Sequence, residues 1–345
     1  MEWSATAKGS TRAAGWSETC RAGLSSDYRY RDGCRPGASN RRVMLRTTLA
    51  VLLVAHAPAA FSGARQVTHG NDSDPSFAPD GRRMVVVTFI NGREQLSILN
   101  VDGTERKVLT TGPEDHEDPA WSPDDRHIAY VLKGADSEVI HTMDTDGSHD
   151  RPLTPAAQRA IHPAWSRDSA RILYCTDDDL KPPLKNTSEI YSIDLATLTA
   201  KPIISGGVNT YPSLSPDGTR IAFRRMLPEN NSEVFLAASD GTRIRNLTNH
   251  PAFDGWPDWS PDGQRIAFAS NRAGNHKIYV MNPDGSGVRL LADTPGRGTA
   301  PRWSSDGSEI FFTVCQRDST GPHCEIYSDF PPERRAPHVP APARR

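Results

Sequence analysis

The sequence predicts an all-β fold: a six-bladed β-propeller of four-stranded blades, closed by an N-terminal strand that completes the last blade. Three observations predict it. One short motif recurs six times, the copies are about 44 residues apart, and the sixth copy stops one strand short. The motif is clearest at residues 256–268, WPDWSPDGQRIAF, which reads as strand, tight turn, strand. In that turn Pro261 presets φ, the Asp262 side chain can bond nearby backbone, and Gly263 accepts positive φ without a Cβ clash. Residues 265–269 then supply a compact apolar run of strand length. A lone two-stranded hairpin cannot bury its faces in water, so each copy needs its neighbours.

The aligned openings begin at Asp74, Asp118, His162, Tyr211, Trp256 and Ala300, each followed by proline. Those prolines stand at 75, 119, 163, 212, 257 and 301, in steps of 44, 44, 49, 45 and 44. A third apolar segment follows each opening, for example QLSILNVDG, EVFLAASDG and KIYVMNPDG, and the first five copies add a short fourth one such as KVLT or RNLT. Four short strands per period fit a propeller blade. The sixth copy runs out after Tyr327, and residues 65–68, RQVT, supply the missing strand beside the third strand of the last blade. That pairing leaves no open sheet edge between first and last blades.

Residues 65–330 carry 27 basic and 37 acidic side chains, a net charge of −10. A sequence-independent nucleic-acid binder needs a positive surface to displace counterions, so no nucleic-acid partner is expected. The N-terminus reads as an address. Arg41, Arg42 and Arg46 precede an apolar run over 49–55 and the small residues Ser62, Gly63 and Ala64, the pattern of a signal peptide over 44–64. The apolar run is too short to span a bilayer, so the mature chain is expected to lack a transmembrane segment and to be periplasmic or secreted. Met44 is a plausible start; the twin-arginine pattern at Arg41 and Arg42 would place it upstream. Residues 1–43, rich in Gly, Ser and Arg, and the Pro/Arg-rich residues 331–345 are expected to be disordered.

Cys315 and Cys324 fall at the end of one strand and the start of the next, opposite each other in a hairpin, where an oxidising compartment favours a disulfide. Cys175, in the strand RILYC, reads as core rather than as a reactive thiol.

Six copies of P-x-[WFL]-[SA]-x-D-x-x-x-[IM] resemble the WD-like propeller repeat of TolB, the periplasmic protein of the Tol–Pal envelope system, across residues 65–330. The resemblance implies a protein-binding scaffold in the cell envelope, with envelope proteins, among them a peptidoglycan-associated lipoprotein, as partners. TolB-like proteins place the propeller after a separate α/β domain, whereas here about a signal peptide precedes the first strand. The same repeat occurs beside peptidase domains and in sugar-active propellers. A monomer is expected.

Strand directions put the PDG turns after the first strands on the same face as the turns after the third strands. The opposite, open face carries the loops between second and third strands and the segments entering each first strand. A propeller brings equivalent positions into a ring round the channel mouth, so Asp72, Asp74, His116, Asp118, His162 and Asp254 are expected to converge there, with Tyr211 and Trp256. The carboxylates suit a hard cation such as Ca²⁺, and mixed His/carboxylate sets suit transition metals. Equally, these side chains can bond the backbone of their own loops. Tyr211 and Trp256 can stack on a sugar, grip a peptide or wall the channel. No cofactor is required by the sequence.

NVDGT, DTDGS and NPDGS lack the rest of a calcium-loop pattern and are explained by hairpin turns. Asp177, Asp178 and Asp179 open a long charged loop expected to be solvated surface. No G-x-S-x-G elbow occurs. Two functions remain: a scaffold working through the open face, favoured because the rim positions vary in chemistry, and a metal-assisted carbohydrate lyase or hydrolase at the channel mouth. Fold alone does not choose between them.

Overall fold

The structure is a computed structural model that describes residues 63–176, 187–228, 231–318 and 321–331. The tri-aspartate at 177–179, the arginine-rich leader before residue 63 and the tail beyond 331 lie outside the described residues. Six antiparallel sheets of four strands each form the propeller. Blade 1 contains Asp72–Phe77, Arg83–Ile90, Arg93–Asn100 and Lys107–Val108, paired in that order. The innermost strands of the next five blades are Asp115–Trp121, Ala160–Trp165, Val208–Leu214, Asp254–Trp259 and Arg297–Trp303.

The second strands are buried on both faces because each is covered by the blades on either side. Tyr130, Tyr174, Phe223, Phe268 and Phe312 lie one per blade at the same ladder position and are all 0–1% exposed. The apolar clusters accordingly bridge blades rather than sit within them. One joins Val85 and Val87 to Trp121, Ile128 and Tyr130; another joins Ala267 and Ile278 to Trp303, Ile310 and Phe312. At about 25 cal/mol per Å² of apolar surface, these interblade layers supply the main drive to fold. Among the described residues no helix is long and apolar enough to cross a membrane.

The ring closes as the truncated sixth repeat predicts. Arg65–Gln66 pairs antiparallel with Gly321–Asp329, Arg65 opposite Ser328 and Gln66 opposite Tyr327. Val67 N–H donates to Ile326 O at 2.8 Å, and its side chain joins the cluster of Met84, Val86, Leu99, Phe311 and Ile326 between blades 6 and 1. Thr68 Oγ1 donates to Glu325 Oε2 and accepts from Ile326 N–H, both at 3.0 Å. Cys315 and Cys324 stand directly opposite in the same ladder and are joined by a disulfide.

The turns behave as their sequence dictates. Asp217 accepts from Ser215 Oγ, Thr219 N–H and Thr219 Oγ1, and those donors lower its carboxyl to about 2. Asp124, Asp168, Asp262 and Asp306 repeat the Ser-x-Asp clasp. Asp102, Asp146, Asp240 and Asp284 accept from the residue two positions on, so their carboxylates are committed to turns.

Candidate functional site

A bulge repeated six times builds the channel mouth. In blade 1 the ladder pairs Ser73 with Val87 and Ser76 with Val85, so Asp74 and Pro75 together oppose one residue. The same irregularity recurs between Glu117 and Ala120, Ile161 and Ala164, Thr210 and Ser213, Gly255 and Asp258, and Thr299 and Arg302. The first bulge residue always has positive φ: 50° at Asp74, 50° at Asp118, 55° at His162, 54° at Tyr211, 53° at Trp256 and 46° at Ala300. Such backbone costs of order 1–3 kcal/mol at a non-glycine residue and persists only where surrounding structure imposes it. Here the following proline disfavours the right-handed helical region, and bulges tolerate its missing donor. Bulges re-aim side chains, and this one turns the pre-proline residues towards one another.

Five of the six make a continuous arc. Asp118 Oδ2 lies 3.6 Å from His162 Nε2, the His162 and Tyr211 rings are 3.7 Å apart between centroids, and Tyr211 and Trp256 are 5.5 Å apart. Asp74 joins electrostatically: its negative charge is among the causes raising Asp118, whose carboxyl burial pushes well above the usual range. Burial raises Asp74 too, with the Arg302 guanidinium opposing. The Asp118 side chain keeps 21% of its exposure, on the lumen, so channel solvent moderates the shift. Burial likewise raises the Tyr211 hydroxyl. The mouth is therefore two-sided, with carboxyls on blades 1 and 2 and rings on blades 3 to 5.

The aromatic side is backed by cations. The Arg224 guanidinium lies 4.8 Å from the Tyr211 ring, 5.7 Å from Phe253 and 6.0 Å from Trp256, and Arg297 lies 5.7 Å from Trp256. His276 meets the edges of Phe253 and Trp256; burial, then Arg297, lowers it to about 4, so it is neutral at pH 7.

Asp72, His116 and Asp254 do not join this ring. Residues two apart share a face in a regular strand, but the positive-φ bulge residue breaks that alternation. Asp72 instead takes a two-pronged contact from Arg106 at 2.7 and 2.8 Å and a bond from Thr88, Asp254 takes one from Arg272 at 3.0 and 3.1 Å, and His116 stacks on Tyr130 at 5.4 Å. Burial lowers His116, which favours its neutral form.

Two charged residues absent from the sequence reading belong to the site. Arg302 and Asp258 follow their prolines, a column otherwise filled by Ser76, Ala120, Ala164 and Ser213. Four small residues mark a tight position, and the two charged exceptions were the available signal. Arg302 is the positive charge acting on Asp74, Asp118 and Asp258. Burial raises Asp258 to about 6, while Arg302 and the Trp303 N–H, 2.9 Å from Oδ2, oppose the shift.

His162 also connects Asp118 to a thiol, with Nδ1 at 3.0 Å from Cys175 Sγ. The order Asp–His–Cys has the connectivity of a nucleophile relay. However, Cys175 is 0% exposed and packs among Leu173, Ile190, Ile221 and Phe223, behind the imidazole. Among the described residues, the carboxylate or imidazole group tight enough to grip a cation is Glu94, Asp115 and Glu117 in blade 2; Arg93 lies 3.4 Å from Asp115 and Lys133 lies 3.3 Å from Glu117.

The sequence profile of the TolB beta propeller domain matches residues 125–326. The chain belongs to that family. A search of curated proteins finds no match. A putative TolB from Agrobacterium tumefaciens is similar in structure, with TM-score 0.57 and 22% identity over 76% of this chain and 90% of that one. TolB from Acinetobacter baumannii gives TM-score 0.57 and 20% identity over 79% of this chain and 64% of that one. An oligogalacturonate lyase in complex with manganese gives 0.55 and 16% over 80% and 95%. At these identities the TolB and lyase structures alike speak for the fold.

Proposed function

We propose that this TolB-family propeller is an exported protein-binding scaffold of the cell envelope, acting from the periplasm through its open-face channel mouth. The supporting observation is the two-sided arc of Asp74 and Asp118 facing His162, Tyr211 and Trp256. Rings held in contact by a rigid propeller lose little conformational entropy on binding, and flanking carboxylates favour a cationic residue on the incoming chain. The occupant is a segment of an envelope protein, in keeping with the periplasmic Tol–Pal role implied by the TolB resemblance.

The test is affinity capture from envelope extract with the wild-type protein and with Asp74→Asn/Asp118→Asn. Capture of one protein by the wild type, lost or weakened at least about tenfold by the double variant, is expected, since charge-assisted contacts contribute roughly 1.5–3 kcal/mol. Undiminished capture by the double variant would remove the mouth from the interface.

A further inference from the structure

A second binding position lies between blades 4 and 5 on the face bearing the PDG turns, away from the channel mouth and independent of the scaffold reading. An open cavity of about 380 Å³ is lined there by Arg220, Arg245, Gln264, Asn282, Pro283 and Asp284. The junction of blades 1 and 2 shows what such a place holds when filled. There the Arg83 guanidinium lies 5.1 Å from the Trp121 ring, and the Asp125 carboxylate accepts from Arg83 at 2.9 and 3.2 Å and from Trp121 Nε1–H at 2.9 Å.

At blades 4 and 5 the arginine and the indole recur, but the carboxylate does not. Arg220, the counterpart of Arg83, lies 4.5 Å from the ring of Trp259, the counterpart of Trp121. Gly263 stands where Asp125 stands, on the same backbone: φ is 68° at Gly263 and 61° at Asp125. A Cβ at Gly263 would meet nothing nearer than Pro216 Cδ at 3.6 Å, so room for a side chain exists and is unused. Two donors are consequently left over. The Trp259 Nε1–H is buried with no hydrogen-bond partner, and Arg220 has Asp217 at 3.8 Å where Arg83 has Asp80 at 2.8 Å. Asp217 is itself occupied by its turn donors.

Arg245 adds positive charge at the rim, although it donates to Asp284 O and Pro283 O at 3.1 and 2.9 Å. The Asp284 carboxylate accepts from Ser286.

We propose that this cavity binds a carboxylate, which takes the place of the missing aspartate and accepts from Arg220 and from Trp259 Nε1–H. Arginine and indole donors converging on one point match a carboxylate oxygen, and a buried unpartnered donor is costly until one arrives. Arg220 covers its indole more closely than Arg83 does, and it lifts towards the Arg83 spacing as the carboxylate enters. The carboxylate belongs either to a small free acid or to an acidic peptide side chain.

The indole N–H signal of Trp259, identified by its loss in Trp259→Phe, reports occupancy in ¹⁵N-labelled protein by NMR. Succinate and an end-blocked Ala-Glu-Ala peptide are the two probes, each compared with sodium chloride at equal ionic strength. A saturable downfield shift with either probe is expected, and the tighter one names the source of the carboxylate. Arg220→Gln should weaken binding by about tenfold or more. Gly263→Asp supplies the carboxylate internally: its Trp259 signal should start at the shifted position and ignore both probes. No saturable shift beyond that of chloride, an equal response in Arg220→Gln, or a Gly263→Asp variant that still responds would each overturn the proposal.

Discussion

Replacing Thr68 by valine probes the closure of the ring through one hydroxyl. Valine keeps the side-chain volume and removes two buried bonds: the donation to Glu325 Oε2 and the acceptance from Ile326 N–H, each at 3.0 Å. Thr68 is 2% exposed and Glu325 8% exposed, so water reaches neither group freely. An orphaned buried donor or acceptor costs about 1–3 kcal/mol, more for a charged one, and the pair together should cost about 3 kcal/mol at pH 7. The loss should depend on pH. Burial raises Glu325, and the Thr68 hydroxyl is the largest influence pulling it back. Without that hydroxyl the carboxyl rises further, so the folded state prefers the protonated acid more strongly. A raised acid loses stability as pH rises through its window, and the valine variant should therefore lose most at pH 7 and less near pH 4.5. Urea denaturation of both proteins at the two pH values measures this, with an unchanged slope marking a pure stability effect. A loss below about 0.5 kcal/mol at pH 7, or an equal loss at both pH values, would refute the closure energetics.

Three further outcomes are expected. Cys324→Ser, which opens the link to Cys315 nine residues away, should lower stability by roughly 2–3 kcal/mol in non-reducing denaturation, and by nothing once the wild type is reduced. Arg106→Met should destabilise by roughly 3 kcal/mol, because Asp72 is left buried without its guanidinium, and Arg106→Met/Asp72→Leu should recover most of that loss in thermal denaturation. The Asp258 carboxyl should titrate near pH 6 by carbon-detected NMR and higher still in Arg302→Gln; as a raised acid it withdraws stability as pH climbs from about 4 towards 6, and a midpoint below 4 would contradict its burial.

The architecture was legible because each blade advertises itself. The proline-to-proline step and the Ser-x-Asp turn recur with little drift, and the truncation after the sixth third-strand left one place for residues 65–68 to go. The site was legible only in part. Asp74, Asp118, His162, Tyr211 and Trp256 do meet, since equivalent positions of a closed ring face one another. The positive φ that turns them inward is not a preference of Tyr or Trp and was invisible locally; it arises because a two-residue step must oppose one residue of the second strand. That bulge is also what sends Asp72 to Arg106 and Asp254 to Arg272 instead of the channel. Arginine partners 18 to 34 residues away, from other strands and loops of the same blade, cannot be assigned from spacing.

The most direct measurement places a photo-crosslinking amino acid at Tyr211 in the channel mouth, with Leu198, an exposed residue of blade 3, as the control position, in cells exporting the full protein. The scaffold account predicts a discrete adduct with one envelope protein from position 211 and none from position 198. No adduct from position 211, together with turnover of a carbohydrate by the purified protein, would contradict it.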